Sequence, residues 1–162
     1  MPTDQDYMQR ALELAGVAAQ HGEVPVGAVV VLNERIVGEG WNQPILSNDP
    51  TAHAEVVALR NAAIALANYR LNEAILYVTI EPCTMCAGAL IHSRIAKVVY
   101  GATEPKSGVA QSNGCLFDEG HFNHRVAVQG GVMAEQCAGI MSDFFASRRL
   151  QKKAQKADQS GL

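Results

Sequence analysis

Two short motifs, about thirty residues apart, limit the folds open to this chain because together they indicate one metal site. The first is His53-Ala54-Glu55, and the second is Pro82-Cys83-Thr84-Met85-Cys86. They supply one imidazole, two thiols and one carboxylate, enough for a catalytic zinc with three protein ligands and an open position for water. Any fold of this sequence must therefore bring the two motifs together around one ion.

Each motif lies where a predicted strand or loop gives way to a predicted helix. Cys83 and Cys86 are three residues apart, so a helical turn places both thiols on one face. The positive end of the helix dipole also favours thiolate over thiol at this position. The side chains of His53 and Glu55 would diverge on a regular helix, so we expect their motif to occupy a first turn, where the chain is still bending.

The chemistry of the ligands predicts zinc, one ion per subunit. Two thiolates and one imidazole suit a borderline-soft ion with tetrahedral geometry, which makes His53, Cys83 and Cys86 the predicted ligands. A water on such a site is acidified toward neutrality. Only a carboxylate that is not itself a ligand is free to move protons, so Glu55 is the predicted general acid and base.

Two other interpretations of the cysteines are weaker. A thioredoxin-type redox pair would leave His53 and Glu55 without a role. A structural zinc site that includes Cys115 and Cys137 would need four protein ligands, and neither cysteine has a ligand-spaced neighbour. Cys115 and Cys137 are therefore predicted to be small apolar residues in or near the core.

The order of predicted elements indicates a layered α/β domain with a mixed sheet. Apolar residues at three- and four-residue steps, after a capping Thr3, predict a first helix over 3–20. The other predicted elements are strands at 27–32, 35–41, 74–80, 97–101 and 126–129, and helices from 51 or 52 to 67, at 83–93, and from 133 past 145. Residues 42–50 and 103–125 are predicted to be irregular, and His121 and His124 are candidates for lining the site.

Length and composition are those of an ordinary globular protein. The 162 residues are 48% apolar and 18% charged, and we expect one domain over 1–157 followed by a disordered tail at 158–162. The longest apolar stretch, 24–32, is too short to span a bilayer, so no membrane partner is expected. Four cysteines without an N-terminal export signal favour a reducing compartment, and we expect a cytoplasmic protein.

The charges are distributed unevenly. Residues 1–143 carry a balance of −7, whereas residues 144–162 carry +4. A basic tail on an acidic body predicts either a phosphate-binding feature or a solvated helix end whose cations complement the helix dipole. Taken alone, the charges favour the helix end.

Longer stretches of the chain closely resemble the bacterial tRNA-specific adenosine deaminases. The segment 87–95, directly after Cys86, is the most discriminating, because the wider deaminase superfamily shares the metal motifs but not this continuation. The likeness also includes residues 22–28, 51–55, 81–86, 98–102, 122–125 and 144–145. It extends from about residue 7 to about residue 156.

The resemblance implies a fold, a reaction and a partner. The fold is the three-layer α/β/α cytidine-deaminase-like fold with a five-stranded mixed sheet, in a homodimer. The reaction is hydrolytic deamination of the wobble adenosine of an arginine tRNA to inosine, with the anticodon stem-loop as substrate. The resemblance assigns His53, Cys83 and Cys86 as zinc ligands and Glu55 as the proton shuttle.

The resemblance also implies contacts with the RNA. Asn42 would hydrogen-bond the target nucleotide, Val26 would pack against its base, and Ala54 and Pro82 would contact the substrate or shape the pocket wall. Glu104 stands where the family usually has aspartate, a residue that touches the backbone of the anticodon loop. The residues implied to meet phosphates or neighbouring bases are Lys106, Arg148 and Arg149.

Two other functions stay open at this point. A deaminase of a free base or nucleoside, such as guanine or cytosine, would share the metal motifs, although the segment after Cys86 and the basic tail argue against it. A non-catalytic zinc module would need the protein to fill the fourth position on the metal.

Overall fold

The structure, a computed structural model, describes residues 1–160 of the chain. The strands are β1 (Gly27–Leu32), β2 (Arg35–Trp41), β3 (Ile75–Ile80), β4 (Lys97–Ala102) and β5 (Ala127–Gln129). The helices are α1 (Asp4–Gln20), α2 (Pro44–Ser47), α3 (Ala54–Leu66), α4 (Thr84–His92) and α5 (Ala134–Ser160). Among these residues, no helix combines the length and the apolar character needed to cross a membrane.

The five strands form one mixed sheet in the order β2-β1-β3-β4-β5. β1 pairs antiparallel with both β2 and β3, whereas β3, β4 and β5 run parallel to one another. The β1–β2 hairpin turns at Asn33 and Glu34, which both have positive φ, as a tight two-residue hairpin turn requires. The five-stranded mixed sheet expected from the resemblance is confirmed.

Helices cover both faces of the sheet and form a three-layer α/β/α arrangement. Ala28 and Val30 of β1 pack into an apolar cluster with α3 and α4, whereas Val29 and Val31 pack into a second cluster with α1 and α5. Because both faces of β1 are buried, the strand is a continuous apolar run instead of an alternating one.

α3 packs closely on β2 because glycines remove side chains from the contact. A Cβ atom at Gly40 would lie 2.5 Å from both the carbonyl oxygen of Ala54 and the nitrogen of Ala58. A Cβ atom at Gly38 would lie 2.5 Å from the carbonyl oxygen of Ala58. This close approach places the first turn of α3, which carries the first metal motif, against the end of β2.

α3 begins at Ala54, later than the predicted start at residue 51 or 52. Asp49 accepts hydrogen bonds from the backbone N–H and the hydroxyl of Thr51, at 2.8 and 2.7 Å. These bonds hold the chain in a turn until His53, which is the N-cap of the helix.

The short helix α2 lies in a stretch that was predicted to be irregular. The buried carboxylate of Glu23 accepts hydrogen bonds from the N–H groups of Ile45 and Leu46, at 3.3 and 2.7 Å. Pro44, the first residue of α2, has no backbone N–H. Glu23, which is distant in sequence, satisfies the N–H groups of the two residues that follow it.

α5 continues through Ser160 and so includes the first three residues of the predicted tail. Lysine, alanine and glutamine dominate this end of the chain and favour helix. Every residue from 149 to 160 is exposed. Residues 161–162 lie outside the described part of the chain, and a boundary between domain and tail at 157 stays a prediction.

Candidate metal centre and substrate cavity

The two metal motifs meet at the starts of two helices. His53 caps α3 with φ −71° and ψ 153°, and Cys83 caps α4 with φ −83° and ψ 175°. Cys86 lies in the first turn of α4 and is fully buried. Because His53 has extended backbone geometry, its ring and the Glu55 carboxyl need not diverge as they would on a regular helix.

The distances between the donor atoms fit zinc. The Nδ1 atom of His53 lies 3.4 Å from the Sγ atom of Cys86 and 3.6 Å from that of Cys83. Zinc bonds of about 2.3 Å to sulfur and about 2.0–2.1 Å to nitrogen, at tetrahedral angles, separate such donors by about 3.5 Å. The three residues could therefore hold zinc without moving apart, and all three donors lie within 4.8 Å of one another.

The two thiols differ in acidity. Hydrogen bonds from the Cys86 thiol and from His53 lower the pKa of Cys83 to about 4. The hydrogen bond that the Cys86 thiol donates to Cys83, together with burial, raises the pKa of Cys86. The pair thus holds one proton, which a dication bound to both sulfurs must displace.

Glu55 stands beside the donor group and is not part of it. It is 3% exposed and lines a cavity of about 500 Å³, together with His53 and Cys83. Burial is the main cause that raises the pKa of Glu55. A carboxyl group with a raised pKa, next to a metal group, is suited to accept and return protons.

Four of the residues that the resemblance assigns to the RNA also line this cavity: Val26, Asn42, Glu104 and Lys106. The backbone N–H of Asn42 donates to the carbonyl of Val26 at 3.0 Å, which ties two of these residues together. The cavity therefore has apolar, amide, acidic and basic groups around one metal group.

Ala54 and Pro82 are not among the residues that line this cavity. Both are buried, and Ala54 forms part of the close contact with Gly40. The carbonyl of Pro82 accepts a hydrogen bond from the N–H of Val109 at 3.0 Å. Both residues are therefore buried outside the lining of the cavity, and the substrate contacts that the resemblance implies for them stay predictions.

Glu81 holds the irregular segment that follows β4, a role that sequence reasoning missed. Its carboxyl group is buried and accepts five hydrogen bonds. The donors are the N–H groups of Glu104 (3.0 Å), Ala110 (3.0 Å), Gln111 (2.8 Å) and Ser112 (2.9 Å), and the hydroxyl of Ser112 (2.5 Å). Burial alone would raise the pKa of Glu81, but the hydrogen bonds outweigh burial and lower the pKa to about 2.

The last helix completes the cavity. Met141 and Phe145 of α5 line it, and Phe145 is 43% exposed. Phe145 and Lys106 also line a neighbouring cavity of about 410 Å³, together with Arg148, Arg149 and Lys152. The resemblance includes residues 144–145 but assigns no role to them, and an apolar helix residue ordinarily indicates core.

Arg148 has partners inside the protein. Its guanidinium group donates a hydrogen bond to the carbonyl of Gly22, just beyond α1, and lies 5.0 Å from the centre of the Phe144 ring. Arg149 is exposed, whereas Arg148 is half-buried. Of the two predicted RNA contacts, Arg149 is therefore the more accessible.

The other histidines and cysteines lie away from the metal group. His121 and His124 line a different cavity, and the Nε2 atom of His124 donates to the carbonyl of Ile95 at 2.7 Å. The expectation that they could line the site is therefore wrong. Cys137 is 1% exposed in one core cluster and Cys115 packs against the other, which confirms both as apolar residues.

Comparison with known proteins extends the likeness beyond the metal motifs. Residues 1–102 match the cytidine and deoxycytidylate deaminase zinc-binding region. The tRNA-specific adenosine deaminase of Haemophilus influenzae is 53% identical over 155 residues, which are 95% of this chain and 90% of that protein. The protein of the same name from Bacillus subtilis is 43% identical over 160 residues, or 99% of each chain. A structure from a study of A-to-I editing by tRNA:A34 deaminases at the wobble position of transfer RNA matches with a TM-score of 0.80. It is 42% identical in sequence, and the match covers 83% of this chain and 97% of that one.

Proposed function

Since this chain belongs to the tRNA-specific adenosine deaminases of the zinc-binding deaminase family, we propose that it converts the wobble adenosine of an arginine tRNA to inosine. The observation that carries the proposal is the buried Glu55 carboxyl beside three zinc donors in one cavity. Three protein donors leave a tetrahedral zinc with one position for water.

The reaction replaces the amino group at C6 of adenine with the oxygen of water and releases ammonia. When bound, zinc supplies a water that is acidified toward neutrality. Glu55 accepts one proton from this water and passes it to N1 of the ring. It then accepts the second proton from the hydroxyl group added at C6 and passes it to the amino group, which leaves as ammonia. The raised pKa of Glu55 suits a group that must take and give protons near neutral pH.

The cavity walls position the nucleotide. A base in a hairpin loop costs less to extrude than a paired base, which favours an anticodon loop as substrate. Val26 offers an apolar contact for the base, and the Asn42 side chain offers both a donor and an acceptor. Glu104 and Lys106 belong to the segment that Glu81 anchors, and they line the same cavity, which supports the proposal that they contact the RNA next to the target base.

Inosine formation in a synthetic arginine anticodon hairpin tests the proposal. We expect Glu55→Gln to lower the rate by about 10²–10⁴-fold, the range for loss of general acid–base catalysis, and to retain one zinc per chain. Glu13→Gln, which changes an exposed carboxyl on α1, is the matched control and should keep full activity. Full activity in Glu55→Gln would contradict the assigned role.

The same assay separates the two alternative functions. Turnover of free guanine, cytosine or their nucleosides, without turnover of the hairpin, would identify a small-molecule deaminase. Cys86→Ser should lose zinc, and unchanged metal content by elemental analysis would contradict its role as a ligand. An X-ray absorption spectrum of the bound zinc that shows a fourth protein ligand would support a non-catalytic module.

The proposal includes a cytoplasmic homodimer, as the resemblance implies. Neighbouring helices α3 and α4 expose the apolar side chains of Ile64 (78%) and Met85 (37%), which a second copy could cover. Light scattering that gives twice the chain mass would support the dimer, and a monomer at micromolar concentration would contradict it.

A further inference from the structure

The exposed part of α5 carries four cations on one face. Arg149, Lys152, Lys153 and Lys156 are all exposed. At 3.6 residues per turn, these four positions fall within a sector of about 100° around the helix axis. No ion pair among the described residues involves any of them.

The same face leads back to the zinc cavity. Residues 141, 145, 149 and 153 follow one another at four-residue steps, so they lie along one stripe of the helix. Met141 and Phe145 line the cavity, and Phe145, Arg149 and Lys152 line the neighbouring one. The stripe is therefore apolar at the site and cationic beyond it.

The helix dipole does not account for these cations. Its effect is confined to the last turn of a helix. α5 extends through Ser160, and its last turn within the described residues carries no basic residue, so all four cations lie before that turn. Four exposed cations with no acidic partner among the described residues, on an otherwise acidic chain, are suited to an external polyanion.

We propose that this stripe, Arg149 with Lys152, Lys153 and Lys156, binds the phosphates of the RNA strand that leaves the cavity. The inference rests on the proposed function and adds to it the surface that holds the RNA beyond the target base. From Phe145 to Lys156 the helix rises about 16 Å, which is longer than one nucleotide. A stacked strand advances roughly 3 Å per nucleotide, so the stripe reaches phosphates up to about five nucleotides away.

Binding of a synthetic anticodon hairpin to K152Q/K153Q/K156Q, measured at several salt concentrations, tests the stripe. Each lost phosphate contact lowers the slope of log affinity against log salt by about 0.7–0.9. We expect the slope to fall by about 2 and affinity at low salt to fall by about tenfold or more. The KM for the hairpin should rise by a larger factor than the rate at saturating RNA falls, because none of the three lysines belongs to the cavity that holds Glu55.

A second variant separates position from net charge. K152Q/K153Q/A154K/Q155K keeps the net charge of −3 but moves two cations to about 120–140° from Arg149 around the axis. It should bind as weakly as K152Q/K153Q. Wild-type affinity in this variant would show that charge alone matters and would overturn the stripe. Circular dichroism and zinc content check that both variants fold.

The binding and editing results together separate failure of the stripe from failure of the proposed function. If the wild type binds and edits the hairpin while K152Q/K153Q/K156Q keeps its affinity and salt slope, the stripe is wrong and the proposed function stands. If the wild type neither binds nor edits the hairpin, the proposed function fails and the stripe fails with it.

Discussion

At the level of single residues, two buried carboxyl groups near the zinc donors differ in their hydrogen-bond partners. Burial raises the pKa of Glu55, whereas five hydrogen bonds outweigh burial at Glu81 and lower its pKa to about 2. A carboxyl group whose pKa is raised above its ordinary value is better suited to take up and return protons than one that stays ionised. Glu55 is therefore suited to carry protons and Glu81 to anchor the segment beside it.

We expect Glu81→Gln to destabilise the protein at neutral pH but not at pH 2. The folded-state pKa of about 2 lies below the ordinary value of 4.5. Ionised Glu81 thus stabilises the fold above about pH 4.5, and this contribution is lost as the pH falls toward 2. The shift corresponds to about 3 kcal/mol at neutral pH.

Urea unfolding of the wild type and Glu81→Gln between pH 2 and pH 7 measures this difference. Metal release at low pH affects both proteins and cancels in the comparison. Glu13→Gln is the control, since an exposed ion pair contributes little. A difference that stays constant across the pH range would show that the charge of Glu81 is not what stabilises the segment.

The metal donors could be predicted from sequence because ligand spacing is a local property of the chain. The role of Glu81 could not, because four of its five donors are backbone N–H groups, which every residue but proline carries. Phe145 was missed for a related reason. An aromatic residue in a helix fits the same spacing of apolar residues in the sequence whether its side chain faces a core or a cavity.

Among the strands and helices, the bounds of β1 and β2 match the prediction because β-branched runs end at turn residues. The start of α3 differs because a turn at Asp49 delays the helix. α2 was missed because its N–H groups bind Glu23, which lies 22 residues before Ile45. Helix ends that depend on distant partners have no local signal.

We expect Gly40→Ala to weaken both the fold and the metal site. The new Cβ atom would meet the backbone of Ala54 and Ala58 at 2.5 Å, and backbone cannot swing aside as a long side chain can. Such overpacking costs about 1–3 kcal/mol. α3 would have to shift, and His53 at its start would shift with it.

Urea unfolding and zinc competition with a chelator measure the two effects of Gly40→Ala. Gly16→Ala in α1 is the matched control, because nothing lies within 4 Å of the added Cβ atom. It should be neutral or stabilise the helix by up to about 1 kcal/mol. Equal behaviour of the two variants would mean that the β2–α3 contact has room to relax.

For the molecule as a whole, zinc links α3 to α4 on the same side of the sheet. A ligand that binds only the folded state at 1,000 times its dissociation constant stabilises by about 4 kcal/mol. We therefore expect a chelator to lower the melting temperature as well as abolish activity. Added Zn²⁺ should restore both, and Mg²⁺ should not, since it prefers oxygen ligands. An unchanged melting temperature after complete metal removal would contradict this link.

The three-layer fold could be predicted from the alternation of helices and strands together with the resemblance. The position of α5 could not, because its residue Phe145 lines the same cavity as residues early in the chain, such as Val26. A cavity lined by residues so far apart in sequence depends on how the layers pack and not on any local pattern.

The order of the cavity residues along the chain has a consequence for biosynthesis. All three zinc donors have left the ribosome once Cys86 emerges, whereas Met141 and Phe145 follow much later. During synthesis, the three zinc donors are therefore available before the residues of α5 that complete the substrate cavity. The order of synthesis therefore allows metal loading to precede completion of the cavity that receives the RNA.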